Sequence, residues 1–279
     1  MRKSINIWSF PPEMPIADCV ALAKDAGFEG IELALADEGE LSLDASAEEL
    51  EKIRATVADA GLEISSLATG LFWATPLTAD DENVRASALE IGKKLIRTAR
   101  ALGTDAVLVV PGLVGMLWEP PEQGAPYDVV WERAAEAIRE LAQTAAENEV
   151  YIALENVWNM FLLSPLEFAR FVDEIGSPWV GAYFDVGNVV KFGYPEHWIK
   201  ILGRRIKRVH FKDYRRDGGF PQGFVDLLAG DVNWPAVMSA LREVGYDGWV
   251  AAEMLPPYKH KPERIIYGTS AAMDAIFEL

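Results

Sequence analysis

Residues 151–188 read YIALENVWNMFLLSPLEFARFVDEIGSPWVGAYFDVGN, and this stretch predicts the fold. It holds two short apolar runs, at 151–155 and 180–185, with a longer amphipathic run at 165–175 between them. Short apolar runs are typical of strands that are buried on both faces, and the longer periodic run is typical of a crossover helix. The stretch therefore predicts a strand–helix–strand unit of a parallel sheet.

The same alternation continues outward in both directions. Six further strands are predicted, at residues 4–10, 30–36, 63–71, 105–111, 206–212 and 249–253. The other helices are predicted at residues 15–27, 46–61, 81–102, 130–145, 196–202, 234–244 and 262–279. Eight strands that alternate with eight helices predict an α/β fold, a single (β/α)8 TIM barrel, with residues 1–279 as one domain. Two irregular stretches, 112–127 and 214–233, follow strands and are expected on the functional face.

The composition excludes several classes of protein. The chain has 26 basic and 43 acidic residues, a net charge of -17, which disfavours nucleic acid as a partner. Its one cysteine, Cys19, leaves no intrachain disulfide and no cysteine-based zinc site. Neither a signal peptide nor an apolar run long enough to span a membrane is recognisable, so we expect a soluble, cytoplasmic protein. The sequence leaves a homo-oligomer open.

Four consecutive predicted strands end on residues that can bind a metal. They are Glu155, Asp185, His210 and Glu253. The carboxyl ends of barrel strands converge at one mouth, so three carboxylates and one imidazole are expected to point at one spot. Without a cation these carboxylates would repel one another and their pKa values would rise. The strand ends therefore predict one divalent metal ion. Oxygen ligands with one imidazole favour Mn²⁺, with Mg²⁺ and Co²⁺ as alternatives, over zinc.

Three short motifs resemble those of the xylose-isomerase-like sugar isomerase and epimerase superfamily. The segment 185–188 resembles its Asp-x-Gly-(His or Asn) signature, and 210–213 resembles its His-x-Lys-Asp signature. Residues 230–234, Gly-Asp-Val-Asn-Trp, resemble the segment that precedes helix seven in the family. Within the superfamily the chain is similar to the ketose 3-epimerases and to the pentulose- and hexulose-phosphate epimerases.

The resemblance implies a chemistry for the strand ends. It implies that Glu155, Asp185, His210 and Glu253 are the metal ligands, and that Glu155 and Glu253 are also the catalytic acid/base pair. The metal would polarise a carbonyl and stabilise a cis-enediolate. One glutamate would remove the proton beside the carbonyl and the other would return a proton on the opposite face. A sugar or sugar-phosphate epimerase or isomerase is the expected function.

The resemblance also implies residues that bind the substrate. These are Glu32 at the end of strand two, Asn188, Lys212 and Arg216. Ketose 3-epimerases typically carry histidine at the position of Asn188, and Lys212, Arg215 and Arg216 form a basic group. Together these favour a ketose phosphate or a modified sugar over a plain ketose. Aromatic residues near strand ends are expected to wall the pocket, namely Trp8, Phe72, Trp73, Trp118 and Trp158.

Other functions use the same site or the same fold. Dehydration of an inosose, or another elimination from a keto-sugar, begins with the same proton abstraction. An apurinic-type endonuclease shares the fold but needs three metals and many histidines, whereas this chain has three histidines in total. A sugar-binding barrel without turnover is a further alternative, which the intact pair of glutamates disfavours.

Overall fold

The strands close into a barrel, which confirms the predicted (β/α)8 fold. A computed structural model describes residues 1–116, 125–255 and 258–279. Its strands are β1 (Arg2–Asn6), β2 (Gly30–Leu35), β3 (Glu63–Thr69), β4 (Ala106–Val109), β5 (Tyr151–Glu155), β6 (Val180–Asp185), β7 (Ile206–Phe211), β8 (Asp213–Tyr214), β9 (Phe224–Val225) and β10 (Trp249–Ala252). Eight of them pair in parallel in the closed order β1-β10-β7-β6-β5-β4-β3-β2, while β8 and β9 form a separate antiparallel pair.

Helices cover the outside of the barrel. They are α1 (Ile16–Asp25), α2 (Ala47–Asp59), α3 (Leu71–Ala74), α4 (Glu82–Leu102), α5 (Tyr127–Asn148), α6 (Pro165–Ile175), α7 (Val186–Val190), α8 (Pro195–Leu202), α9 (Trp234–Glu243) and α10 (Glu263–Phe277), with 3₁₀ turns at Ile7–Ser9 and Gly203–Arg205. None of those in the described ranges is long and apolar enough to cross a membrane.

The strict alternation predicted from the sequence is broken at the carboxyl ends of the strands. The short helices α3 and α7 follow β3 and β6, and the β8–β9 pair lies in a region predicted to be irregular. The first strand ends at Asn6 rather than at residue 10, because the Asn6 side chain accepts a hydrogen bond from Trp8 N at 2.7 Å and caps a 3₁₀ turn. These additions all lie next to the site described below.

Two apolar clusters hold the barrel. The large one joins the strands to the surrounding helices. A small one contains one buried side chain from each of β3 to β6, namely Ala68, Leu108, Ala153 and Tyr183, with Trp8 packed against it. Burial on both faces explains why the strands read as nearly continuous apolar runs.

Candidate metal centre

The structure brings together the four side chains that were predicted from the strand ends. Glu155 and Asp185 end β5 and β6, His210 lies in β7, and Glu253 directly follows β10. One ligand atom from each residue lies within 4.8 Å of the others. These four strands are neighbours in the barrel, in the order β5-β6-β7-β10. Four successive chain segments thus deliver their side chains to one point.

The donor atoms suit a divalent cation. His210 Nδ1 lies 3.2 Å from Glu253 Oε2, 3.7 Å from Glu155 Oε1 and 3.8 Å from Asp185 Oδ2. Within the described part of the chain, His210 Nδ1 and Asp185 Oδ2 are buried and make no hydrogen bond of good geometry, although Lys212 Nζ forms an ion pair with Asp185 Oδ2 at 3.2 Å. Buried polar atoms are normally hydrogen-bonded, so two atoms without a hydrogen bond that face one point fit metal ligands. The residues present therefore fit one divalent ion.

The two glutamates differ in their affinity for a proton. Burial raises the pKa of Glu155 to about 7, and the charge of Glu253 adds to this effect against the opposing influence of His210 and Lys212. Burial also favours the neutral form of Glu253, but the charges of Lys212 and His210 outweigh it and lower its pKa to about 2. Two carboxyl groups in one site thus have unlike environments, which is the pattern of an acid/base pair.

Lys212 is a structural partner of the acidic cluster. Its Nζ lies 2.7 Å from Glu253 Oε2 and 3.2 Å from Asp185 Oδ2, and the side chain is buried. The Lys212 ammonium also lies 5.1 Å from the centre of the Phe224 ring. Its charge is therefore already balanced by carboxylates of this site.

Asn188, which was predicted to bind the substrate, lies beside the cluster and lines the same cavity. Its side-chain nitrogen donates to Asn156 O at 3.1 Å and approaches Glu155 Oε1 at 3.4 Å. Its main-chain N–H donates to Asp185 Oδ1 at 2.7 Å, so the carboxylate caps α7 and is held in place. The preceding residue of that motif, Gly187, must be glycine because a Cβ there would lie 2.7 Å from Lys212 Cβ.

Asp213 explains the last position of the His-x-Lys-Asp motif, a role that the sequence did not reveal. The carboxylate is fully buried and accepts five N–H hydrogen bonds at 2.9–3.2 Å, from the main chain of Tyr214, Leu228, Gly230 and Val232 and from the indole of Trp234. A Cβ at position 230 would overlap Asp213 Oδ1, so this position requires glycine. The Gly-Asp-Val-Asn-Trp segment is thus the partner of Asp213.

Replacing Asp213 by asparagine should lower the free energy of unfolding by about 1–3 kcal/mol, because an amide nitrogen would face N–H donors and leave some of them unpaired. Urea unfolding followed by circular dichroism measures this loss. The exposed Asp217 lies in the same segment, and Asp217→Asn serves as the matched control with little expected change. Equal stability of the two variants would contradict a clamping role for Asp213.

A cavity of about 170 Å³ opens above the cluster. Its lining includes Glu155, Asn188, Lys212 and Glu253, together with the aromatic side chains Trp8, Trp73, Trp158, Phe220 and Phe224. Three of the aromatic residues predicted to wall the pocket therefore do so. Phe72 is instead buried in the core, and Trp118 lies outside the described residues.

A larger apolar cavity of about 550 Å³ lies beside the first and shares Val157, Trp158 and Asn188 with it. The described residues that line it include no Asp or Glu, whereas Glu155 and Glu253 line the smaller cavity.

Two predicted substrate-binding residues are not on the cavity surface. Glu32 is fully buried, and both of its oxygens accept hydrogen bonds from protein groups, so the expectation that it contacts the substrate is corrected. Arg216 is absent from the described cavity lining. Its guanidinium donates to Gly193 O at 2.8 Å and lies 4.9 Å from the centre of the Tyr194 ring.

The family is shown by comparison with known proteins. The family model described as xylose isomerase-like TIM barrel matches residues 20–273. The chain belongs to the xylose isomerase-like TIM barrel family. This confirms the resemblance seen in the three motifs.

Relatives within the family carry epimerase names. The chain is 30% identical over 250 residues to "Putative L-ribulose-5-phosphate 3-epimerase SgbU" of Escherichia coli (strain K12), covering 84% of this chain and 82% of the relative. It is 25% identical over 269 residues to "L-ribulose-5-phosphate 3-epimerase UlaE" of Salmonella heidelberg (strain SL476), covering 91% and 88%. A solved L-ribulose 3-epimerase superposes with a TM-score of 0.81 at 21% identity, covering 99% of this chain and 94% of that one, which shows a shared fold.

Proposed function

We propose that this family member is a divalent-metal-dependent epimerase of a small keto-sugar, with Glu155 and Glu253 as its proton-transferring residues. The observation that carries the proposal is a difference in solvent exposure among the four residues of the cluster. Glu155 and Glu253 keep 7% and 6% of their surface exposed and line the cavity, whereas Asp185 and His210 have 0% exposed. Two carboxyl groups can thus reach a substrate, while the other two ligands lie beneath them.

Different residues of the site would have different roles in an epimerisation. When bound, Mn²⁺, Mg²⁺ or Co²⁺ would supply a Lewis acid to polarise the carbonyl and stabilise a cis-enediolate. Glu155, Asp185, His210 and Glu253 would hold the ion. One glutamate takes the proton from the carbon beside the carbonyl, and the other gives a proton to the opposite face, which inverts the centre. Asn188 is placed to hydrogen-bond a sugar oxygen, and the aromatic walls exclude water.

The charges around the cavity favour a free keto-sugar over its phosphate ester. Lys212 is the one Lys, Arg or His side chain among the described residues of the lining, and its charge is balanced by Asp185 and Glu253. Residues 117–124 and 256–257 contain no Lys, Arg or His in their sequence. The bound ion would be engaged by the carbonyl end of the sugar, so a phosphate at the other end would find no free Lys, Arg or His side chain among the described lining residues. This reverses the preference for a ketose phosphate that was expected from Lys212, Arg215 and Arg216. This part of the proposal differs from the names of the sequence relatives, which are phosphate epimerases.

An epimerisation assay tests the proposal. The protein with Mn²⁺ is incubated with free pentuloses and hexuloses and, in parallel, with their terminal phosphate esters, and products are separated by chromatography and mass spectrometry. We expect a C3 epimer of a free ketose. Turnover confined to the esters would contradict the free-sugar assignment, and a product lighter by one water would contradict epimerisation in favour of dehydration.

Arg216 provides a separate prediction about the phosphate. Because its side chain is held on Gly193 and Tyr194, Arg216→Ala should change KM for a free ketose and for its phosphate by less than about threefold. Lost charge-assisted hydrogen bonds of about 1.5–3 kcal/mol each would instead raise KM by more than tenfold. Steady-state kinetics on both substrates measure the difference. A rise in KM confined to the phosphate ester would contradict this prediction and would indicate that Arg216 binds the phosphate group.

A further inference from the structure

Glu32 occupies a polar pocket inside the barrel, below the metal centre. The carboxylate belongs to β2 and has 0% of its surface exposed. Its Oε1 accepts hydrogen bonds from Asn6 Nδ2 at 2.5 Å and from His210 Nε2 at 2.6 Å. Its Oε2 accepts from Ser66 Oγ and Tyr183 OH, each at 2.5 Å. Both oxygens are therefore fully used by groups from four other strands.

The contact with His210 determines which ring nitrogen faces the metal site. Glu32 occupies Nε2, and the Tyr183 ring lies 4.3 Å from the imidazole, centre to centre. The opposite nitrogen, Nδ1, is the atom that faces Glu155, Asp185 and Glu253 at 3.2–3.8 Å. An ionised carboxylate can only accept, so this hydrogen bond requires the proton on Nε2. The lone pair of the neutral ring is then on Nδ1.

We infer that Glu32 is a positioning residue that holds His210 in the Nε2–H tautomer and orients its Nδ1 toward the bound metal. The inference rests on the proposed metal site. A carboxylate behind a metal-binding histidine raises the basicity of the ligand and prevents the ring from turning, and loss of such a partner typically costs about 10–100-fold in metal affinity. Ser66, Tyr183 and Asn6 hold Glu32 in turn.

The test variant is Glu32→Gln, which keeps the size of the side chain but removes two of its acceptor sites. Its Mn²⁺ affinity, measured by isothermal titration calorimetry, should fall by about 10–100-fold relative to the unaltered protein. The matched control is Glu38→Gln, the same change at an exposed glutamate that follows β2, and we expect a loss below about threefold. Equal affinities of Glu32→Gln and the unaltered protein would overturn the inference, whereas absence of Mn²⁺ binding by the unaltered protein would overturn the metal site itself.

A spectroscopic measurement on the unaltered protein gives a second test, which does not depend on the folding of a variant. The three histidines are labelled with ¹⁵N and the protein is loaded with Mg²⁺, which is diamagnetic. Long-range ¹H–¹⁵N correlation spectra should show His210 with a proton on Nε2 and none on Nδ1. Because ligation of Nδ1 alone would leave the proton on Nε2, the contribution of Glu32 is measured from the Nε2–H resonance, which a short hydrogen bond to a carboxylate should move downfield. An Nε2–H resonance at the ordinary position of a neutral imidazole would overturn the inference, and a proton on Nδ1 in the loaded protein would contradict the metal site.

Discussion

Glutamine in place of Glu155 or Glu253 should slow epimerisation by about 10²–10⁴-fold, because the amide keeps the shape of the side chain but cannot take up or release the proton. The two residues come from β5 and β10, which are separated by β6 and β7 in the barrel, and both line the same cavity. The kcat of each variant with saturating Mn²⁺ measures the loss. Glu147→Gln, an exposed change on α5, is the control and should keep full activity.

Heavy water separates two-glutamate catalysis from other routes. If the carbon-bound proton passes through a side chain, the product formed in deuterium oxide should carry deuterium at the inverted carbon. A variant that lacks one glutamate should still exchange the proton on the face served by the other, without inversion. A product free of solvent deuterium would show direct hydride transfer, and the assignment of Glu155 and Glu253 as proton carriers would then have to be abandoned.

Asp185→Asn and His210→Ala should each weaken Mn²⁺ binding by more than about 100-fold, the upper end of the loss caused by changes behind the ligands. Each change removes a donor whose metal-facing atom, Asp185 Oδ2 or His210 Nδ1, is buried without a hydrogen-bond partner in the described chain. Elemental analysis after gel filtration measures the metal content, and chelation of the unaltered protein should likewise abolish turnover until Mn²⁺, Mg²⁺ or Co²⁺ is restored.

The control for these variants is Asp217→Asn, which removes an exposed carboxylate and should leave Mn²⁺ binding unchanged.

The pH dependence of Mn²⁺ binding provides a further check. Burial holds the pKa of Glu155 at about 7, so below that pH a proton competes with the metal and the affinity for Mn²⁺ should fall. Full metal content in both Asp185→Asn and His210→Ala would rule out the assigned metal site.

The four side chains of the candidate metal centre were predictable because their positions depend on the backbone. Each of Glu155, Asp185 and Glu253 ends or follows a strand, and strand ends in a closed barrel converge whatever the surrounding packing. The alternation of apolar and amphipathic runs was enough to find those strands. The same alternation places the family motifs at 185–188 and 210–213 at the carboxyl ends of two neighbouring strands.

The roles of Glu32 and Arg216 were not predictable in this way. Glu32 was predicted to end strand two, but it lies inside β2, which continues to Leu35. Its carboxylate is held inside the barrel by Ser66 and Tyr183, which come from other strands and which the sequence around residue 32 does not indicate. The direction of Arg216 depends on Gly193 and Tyr194, which lie in a different connection. The position of a residue in a strand predicts where its Cα lies. Hydrogen bonds to residues distant in the sequence determine where its charged group lies.

The Asp213 clamp has a consequence for how this protein can diverge. Four of its five donors are main-chain N–H groups, which every residue except proline supplies, so these four hydrogen bonds do not depend on which side chains stand at positions 214, 228 and 232. Phe220 and Phe224 lie in that segment and line the cavity. The wall of the cavity can therefore change at Phe220 and Phe224 without loss of the four main-chain hydrogen bonds to Asp213 and without any change to Glu155, Asp185, His210 or Glu253. Under the proposed function, the range of keto-sugars could diverge in this segment while the groups that would transfer protons are kept.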